Sequence, residues 1–258
     1  MDAQALMQAA EEVARKGGDV ALGFFRQGVT VDTKGDGTPV TVADRTAEKT
    51  AREWLEARFP EDGILGEEFG ETRPGARRRW ILDPIDGTKT FIRGVPLWGT
   101  LVALAEGDRI LVGAAYFPPV GDMLVAAPGQ GCFWNGKRTR VSAEADLSRA
   151  LVLSTDERFQ TYPDRGARWR ELTKSASVAR TWGDCYGYLL VATGRAEAMV
   201  DELMSPWDAA ALQPIIEEAG GVFTDWTGKR TSFGGNAIAT NAALAGRVRE
   251  ILGAGARD

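Results

Sequence analysis

A chain of 258 residues, 44% hydrophobic and 26% charged, is long enough for one large or two ordinary globular domains with a real core. Its formal charge of −5 argues against a nucleic-acid or anionic-membrane surface, and no window approaches the roughly 18 continuous apolar residues of a membrane span. Histidine is absent, which removes Ser-His-Asp and Cys-His nucleophiles, histidine phosphatases and nearly all catalytic zinc sites, leaving carboxylates, hydroxyls, lysines and hard metals.

The N-terminal stretch MDAQALMQAAEEVARKGG carries acids among its apolar residues and has no signal-peptide h-region, so a cytoplasmic protein is expected. Residues 2–26 are predicted as an amphipathic helix with Leu6, Ala9, Val13, Val20 and Phe24 roughly on one stripe. The Gly-rich DTKGDGTPVTVAD reads as a turn. A second helix follows, carrying Ala47, Ala51, Trp54, Leu55 and Phe59, and Pro60 stops it. GILGEEFG reads as a short strand broken by acids. Strand signals dominate from Arg79 to about Val141, and Asn135-Gly136 marks a two-residue hairpin. After about residue 145 strands and helices alternate. The expectation is an α+β half over residues 1–144 and an α/β half over 145–258, tightly packed because Val141–Arg149 lacks the composition of a flexible linker. Pro214 lies inside the helix expected from Pro206 and should kink it. Cys132 and Cys185 are too few for a disulfide framework and match no zinc spacing, so both are expected to be reduced and structural.

Chemistry without histidine directs attention to acids at strand ends. Glu67 and Glu68 end one predicted strand, and Asp83 and Asp86 the next. The proline in DPID prevents regular ladder pairing, so the two aspartates can face one point with the Ile85 carbonyl between them. Magnesium takes such hard oxygen ligands, and carboxylates held together repel unless a cation neutralises them. The cluster therefore predicts metal. If a helix or tight turn starts at Gly87 and Thr88, their N–H groups form an anion site, and a net acidic chain can still hold a phosphate. A bare Asp-Gly is also an ordinary β-turn corner. Glu68 and Glu71, taken alone, suit solvent or an outlying role. In SPWD, Ser205 reads as N-cap, Pro206 as the first helical residue and Asp208 as a capping carboxylate. Asp44 likewise reads as a helix N-cap.

Together these segments resemble the inositol-monophosphatase-like family of Mg²⁺-dependent, Li⁺-sensitive phosphatases. The family's motifs stand here as GEEFG, DPIDGTKTF and WDAAALQPIIEEAGG, in order, across essentially the whole chain. The resemblance implies a layered αβαβα fold, a homodimer, two to three Mg²⁺ per active site and a small phosphate ester as partner. It implies that Glu67, Asp83 and the Ile85 carbonyl hold one magnesium, and that Asp83, Asp86 and Asp208 hold a second. Glu67 would also touch a third. Thr88 with Asp44 would orient and deprotonate the attacking water, and the Gly87 and Thr88 amides would bind phosphate, with no phosphoenzyme.

Two segments depart from inositol phosphatases and resemble the histidinol-phosphate phosphatase branch: KTFIRGVPLWGTLVAL after DGT, and RTWGDCYGYLLVATGRAEAMVD in place of a small G-[ST]-A-A run. Histidinol phosphate carries an ammonium group and a protonatable imidazole, which carboxylates would hold by charge-assisted hydrogen bonds. Asp184 and Asp201 are the candidates, with helix capping as the alternative for Asp184. Arg180 suits a substrate-neighbouring arginine or a surface role equally. Tyr186 and Tyr188 read as core. The expectation is an L-histidinol-phosphate phosphatase of histidine biosynthesis; the alternatives are an inositol-1-phosphate or broad sugar-phosphate phosphatase, or an inactive binding subunit. The presence of Glu67, Asp83, Asp86, Thr88 and Asp208 speaks against the last.

Overall fold

Asp2 opens the first helix in the computed structural model, its Oδ1 accepting the N–H of Ala5 at 2.8 Å. The structure describes residues 2–35 and 37–255; the outermost residues of the two expected halves, Met1 and residues 256–258, lie outside them, as does Asp36. In chain order the first half comprises α1 (Ala3–Phe24), β1 (Val31–Thr33), β2 (Pro39–Thr41), α2 (Val42–Arg58), β3 (Gly63–Gly66), β4 (Gly70–Thr72), β5 (Arg79–Asp86), α3 (Thr88–Phe91), β6 (Gly99–Glu106), β7 (Arg109–Phe117), β8 (Asp122–Ala127), β9 (Gly131–Trp134) and β10 (Lys137–Arg138). The remainder comprises β11 (Leu151–Ser154), α4 (Pro163–Ser175), β12 (Val178–Arg180), α5 (Asp184–Ala192), β13 (Ala198–Asp201), α6 (Pro206–Ala209), α7 (Leu212–Glu218), β14 (Val222–Thr224), β15 (Ala237–Thr240) and α8 (Ala245–Leu252).

Strands β3 to β10 form an eight-stranded sheet in the order β10-β9-β8-β7-β6-β5-β3-β4, and a five-stranded sheet runs β12-β11-β13-β15-β14. Alternation along the strands sorts side chains between layers. Trp80, Leu82, Val102 and Leu104 meet Leu6, Ala10, Val13 and Leu55 of α1 and α2. Ile81, Leu101, Ala103 and Phe117 face the other way, against Leu189 and Val191 of α5 and Leu212 and Ile216 of α7. Met199 of the second sheet joins that same core. Its neighbours Ala198 and Val200 point outward to Trp169 and Leu172 of α4 and Val248 and Ile251 of α8. The result is five layers, αβαβα, with the middle helices buried between two sheets.

Several local expectations are refined. GILGEEFG is a hairpin, with β3 ending at Gly66 and β4 beginning at Gly70. The supposed Gly-rich turn contains the two-stranded β1–β2 ribbon. Asn135 and Gly136 both have positive φ, 49° and 75°, as a two-residue turn matched to strand twist requires. The helix from Pro206 is interrupted between Ala209 and Leu212, as Pro214 leads one to expect: the backbone stays right-handed through Ala210 and Ala211, but Pro214 has no N–H to donate to the Ala210 carbonyl four residues earlier. No helix of the described residues is long and apolar enough to cross a membrane.

The break also explains Gly113. A Cβ built there would lie 2.3 Å from the carbonyl oxygen of Ala211, so β7 admits the α6–α7 junction only because it carries no side chain at this point. Gly113→Ala is expected to destabilise the protein by about 1–3 kcal/mol. Urea unfolding would read this as a lower midpoint at unchanged slope, and an unchanged midpoint would refute the close approach.

Candidate active site

β5 carries the first two carboxylates and loses its regular pairing where they stand. Its register with β6 holds from Arg79↔Ala105 to Asp83↔Leu101, then shifts before Asp86↔Gly99. Pro84 offers no N–H to the ladder. Instead the Ile85 N–H donates to Asp83 Oδ1 at 3.0 Å, and Thr100 Oγ1 donates to the Pro84 carbonyl at 2.8 Å. Gly87, at φ 94°, then turns the chain into α3 as its N-cap. The third carboxylate arrives from the middle layer. Asp208 is the third residue of α6, and its Oδ2 accepts the Ser205 N–H at 2.6 Å. One oxygen from each of Asp83, Asp86 and Asp208 lies within 4.8 Å of the others.

Dehydration and like charge act on this group in the same direction. Burial, then the charges of Glu67, Asp86 and Asp208, push the Asp83 carboxyl well above its ordinary range. Burial and the charges of Asp184 and Asp208 do the same to Asp86, against the opposing N–H of Cys185. Asp208 is raised to about 7, chiefly by burial, with the Ser205 amide opposing. An all-oxygen set of converging, mutually repelling carboxylates fits a hard divalent cation.

Glu67 lies in the β3–β4 turn and meets a cation that the sequence reading passed over. Lys34, from the β1–β2 loop, places its Nζ 2.7 Å from Glu67 Oε1 and 2.7 Å from Glu68 Oε1. Burial works against the Lys34 ammonium, but the two carboxylates outweigh it and hold its pKa above the ordinary value. Glu68 is raised to about 7, mainly by burial, with Lys34 opposing. Beneath this turn the fully buried Glu48 accepts the N–H groups of Glu68 at 2.7 Å and Phe69 at 3.2 Å, and Nε of Arg52 at 2.7 Å. A Cβ on Gly66 would fall 2.0 Å from Glu48 Oε1. In sequence, Glu48 and Arg52 look like an exposed i,i+4 pair. Their actual work is to clamp the turn that carries Glu67.

Asp44 is fully buried at the third position of α2, so it is not the N-cap; Thr41 is. Asp44 Oδ2 accepts the Thr41 N–H at 2.8 Å and its hydroxyl at 2.7 Å, while Oδ1 stands 3.3 Å from Thr88 Oγ1. That hydroxyl also lies 3.1 Å from the Ile85 carbonyl. Burial raises the Asp44 pKa despite the Thr41 bonds.

Asp184 is the first residue of α5, and the N-cap is Gly183, so its carboxylate does not cap the helix. Its φ of 50° is left-handed, a strain of order 1 kcal/mol for a residue with a Cβ. Its Oδ2 lies 3.2 Å from Thr90 Oγ1, and burial raises its pKa. Beside it is a cavity of about 250 Å³ lined by Lys89, Thr90, Arg93, Thr155, Thr181 and Gly183. Asp201 ends β13, only 6% exposed; its carboxylate takes the Tyr188 hydroxyl at 2.9 Å and the Thr155 N–H at 3.2 Å, and burial lifts its pKa to about 6. Tyr188 is fully buried, and Tyr186 is partly buried against the same core. Arg180 is not brought into this group: it is exposed on β12 and donates to the carbonyl of Ala179 at 2.8 Å. Both cysteines are free and buried.

Residues 2–254 match the family model described as the inositol monophosphatase family. A Chlorobaculum parvum protein named histidinol-phosphatase is 44% identical over 98% of this chain and 98% of its own. A Mycobacterium tuberculosis protein of the same name is 38% identical over 99% and 98%. The solved structure of an inositol monophosphatase from Zymomonas mobilis superposes with a TM-score of 0.87 at 33% identity, over 98% of this chain and 99% of that one.

Two outcomes follow from the electrostatics and the clamp. Because the folded-state pKa values of Asp83, Asp86 and Asp208 are raised, their stabilising contribution is complete below the ordinary carboxylate pKa. It is lost as pH climbs toward about 7, the folded value of Asp208. The melting temperature of metal-free protein should therefore fall between about pH 5 and 8, recover on adding Mg²⁺ at the upper end, and fall less steeply in Asp208→Asn. Parallel profiles for wild type and Asp208→Asn would sink this account. Gly66→Ala should weaken Mg²⁺ binding roughly tenfold through the displaced Glu67 turn, as read by titration calorimetry; unaltered affinity would show that the clamp is irrelevant to metal.

Proposed function

The chain belongs to the inositol monophosphatase family, and from that premise we propose that it is a Mg²⁺-dependent phosphomonoesterase acting on L-histidinol phosphate. The observation that carries the reading is the convergence of Asp83, Asp86 and Asp208 within 4.8 Å, next to a cavity walled by Asp184. The names of the two bacterial relatives support the choice of substrate.

Glu67, Asp83 and the Ile85 carbonyl would hold one ion, and Asp83, Asp86 and Asp208 a second. Bound there, magnesium supplies neutralisation of the ester's negative charge and acidification of the attacking water. The chain's own groups do the rest. The Gly87 and Thr88 amides, at the start of α3, hold phosphate oxygens. Thr88 accepts a proton from the water while passing its own to Asp44, 3.3 Å away. The raised pKa of Asp44 makes it a stronger base than an ordinary aspartate. The water oxygen bonds to phosphorus, the P–O ester bond breaks, and the leaving oxygen keeps that electron pair and is protonated by solvent. Asp184 and Asp201 hold the cationic end of the substrate, a contact that a neutral polyol cannot reproduce. The same proposal extends to inhibition by Li⁺, a homodimer, a cytoplasmic location and service in histidine synthesis.

Phosphate release with Mg²⁺ from L-histidinol phosphate and from myo-inositol 1-phosphate, measured side by side, tests this. A preference of roughly a hundredfold for histidinol phosphate is expected, about 2.7 kcal/mol in transition-state terms. Comparable rates would point to a broad-specificity phosphatase, and no release from either would remove the enzymatic reading.

A further inference from the structure

Thr155 directly follows β11, which lies between two parallel neighbours, β12 and β13. The chain passes from β11 through α4 to β12 on one side, and then through α5 to β13 on the other. The strand order therefore reverses about β11, and in open α/β sheets the crevice outside the carboxyl ends at such a reversal is where ligands enter. Here β12 leads into Asp184 and β13 ends on Asp201.

Thr155 is bonded to both acids. Its N–H donates to Asp201 Oδ1 at 3.2 Å, and its Oγ1 accepts the N–H of Asp184 at 2.8 Å. The approach on the Asp184 side is tight: a Cβ on Gly183 would lie 2.3 Å from Thr155 Cα and 2.8 Å from Oγ1. That contact seats Asp184 at its left-handed φ of 50°. Thr155 itself is exposed and lines the cavity beside Asp184, so its side chain can be altered without opening a core.

Resting on the histidinol-phosphate reading, we infer that Thr155 is the positioning residue for specificity, a single brace that sets the separation and direction of the Asp184 and Asp201 carboxylates. Its backbone bond to Asp201 persists in other residues, whereas the bond to Asp184 depends on the hydroxyl. Valine keeps the branched shape and loses the acceptor; serine keeps the acceptor and loses the methyl group. Removing the hydroxyl frees the Asp184 backbone and misdirects its carboxylate, while the distance from Asp44 to Thr88 and the carboxylates of Asp83 and Asp208 are untouched; Asp86 keeps the N–H of Cys185, next in the chain to Asp184, at 2.5 Å.

The test is steady-state kinetics of the full chain with Mg²⁺ on L-histidinol phosphate and on 4-nitrophenyl phosphate, which has no cationic group. Thr155→Val should raise KM for histidinol phosphate roughly tenfold, with a much smaller change in kcat and in KM for the nitrophenyl ester. Thr155→Ser should restore KM to within about twofold of wild type. Gly183→Ala, which pushes on the same contact from the other side, should reproduce the selective rise and decides the matter if Thr155→Val fails to fold. Unchanged KM in Thr155→Val, equal losses in the valine and serine variants, or equal losses on both esters would overturn the inference. Wild-type enzyme with no preference for histidinol phosphate would overturn the substrate reading, and this inference with it, before any variant is compared.

Discussion

Repulsion among Asp83, Asp86 and Asp208 is the constraint around which the molecule is arranged. Each is dehydrated and each feels the others' charge, so the carboxylates would separate or take up protons unless something rigid held them together. The rigidity comes from packing. β5 lies between β3 and β6, with Trp80 and Leu82 buried on one face and Ile81 on the other. A strand gripped on both faces keeps its end in place even where Pro84 interrupts the ladder. Asp208 is held differently, on a one-turn helix whose Pro206 and Ser205 set the entry angle.

Around the charged centre, polar groups that burial would otherwise penalise bond one another. Glu48 takes three donors, Asp44 is bonded to Thr41 through both backbone and side chain, and Asp201 takes a hydroxyl and an amide. Satisfied networks of this kind stiffen in a low-dielectric interior, whereas a half-satisfied one would be costly. The Asp201 network reaches the strained backbone of Asp184 through Thr155, whose Oγ1 accepts the Asp184 N–H at 2.8 Å.

Much of this was legible beforehand because it is local. The DPIDGT run declares its irregular strand end, SPWD its helix start, and Asn135-Gly136 its turn, since in each case the deciding residues are adjacent. The five layers followed from the family likeness of three motifs; alternation and helical periodicity alone pointed to an α+β half followed by an α/β half. What was hidden spans the chain. Lys34 meets Glu67 across 33 positions, Glu48 meets Glu68 across 20, and Thr155 meets Asp201 across 46. A lysine in a Gly-rich stretch, a helical Glu–Arg pair and a threonine after a strand are common items whose meaning depends on what folds against them. Asp44 and Asp184 resemble helix caps in sequence for the same reason: the true caps, Thr41 and Gly183, are decided by backbone geometry that propensity does not resolve.

The middle helical layer has an implication for how such a protein can change over time. Its core draws at once on Leu101 of the first sheet, Leu212 of α7 and Met199 of the second sheet, and the acids of the site come likewise from both sheets and the helices between them: Asp83 and Asp86 from β5, Asp208 from α6, Asp184 from α5 and Asp201 from β13. Neither half of the chain therefore owns the reaction. Exchange of a half between relatives would bring in foreign side chains against a shared seam, so new substrates are more readily reached by single replacements along the rim of β11 to β13 than by recombination of modules.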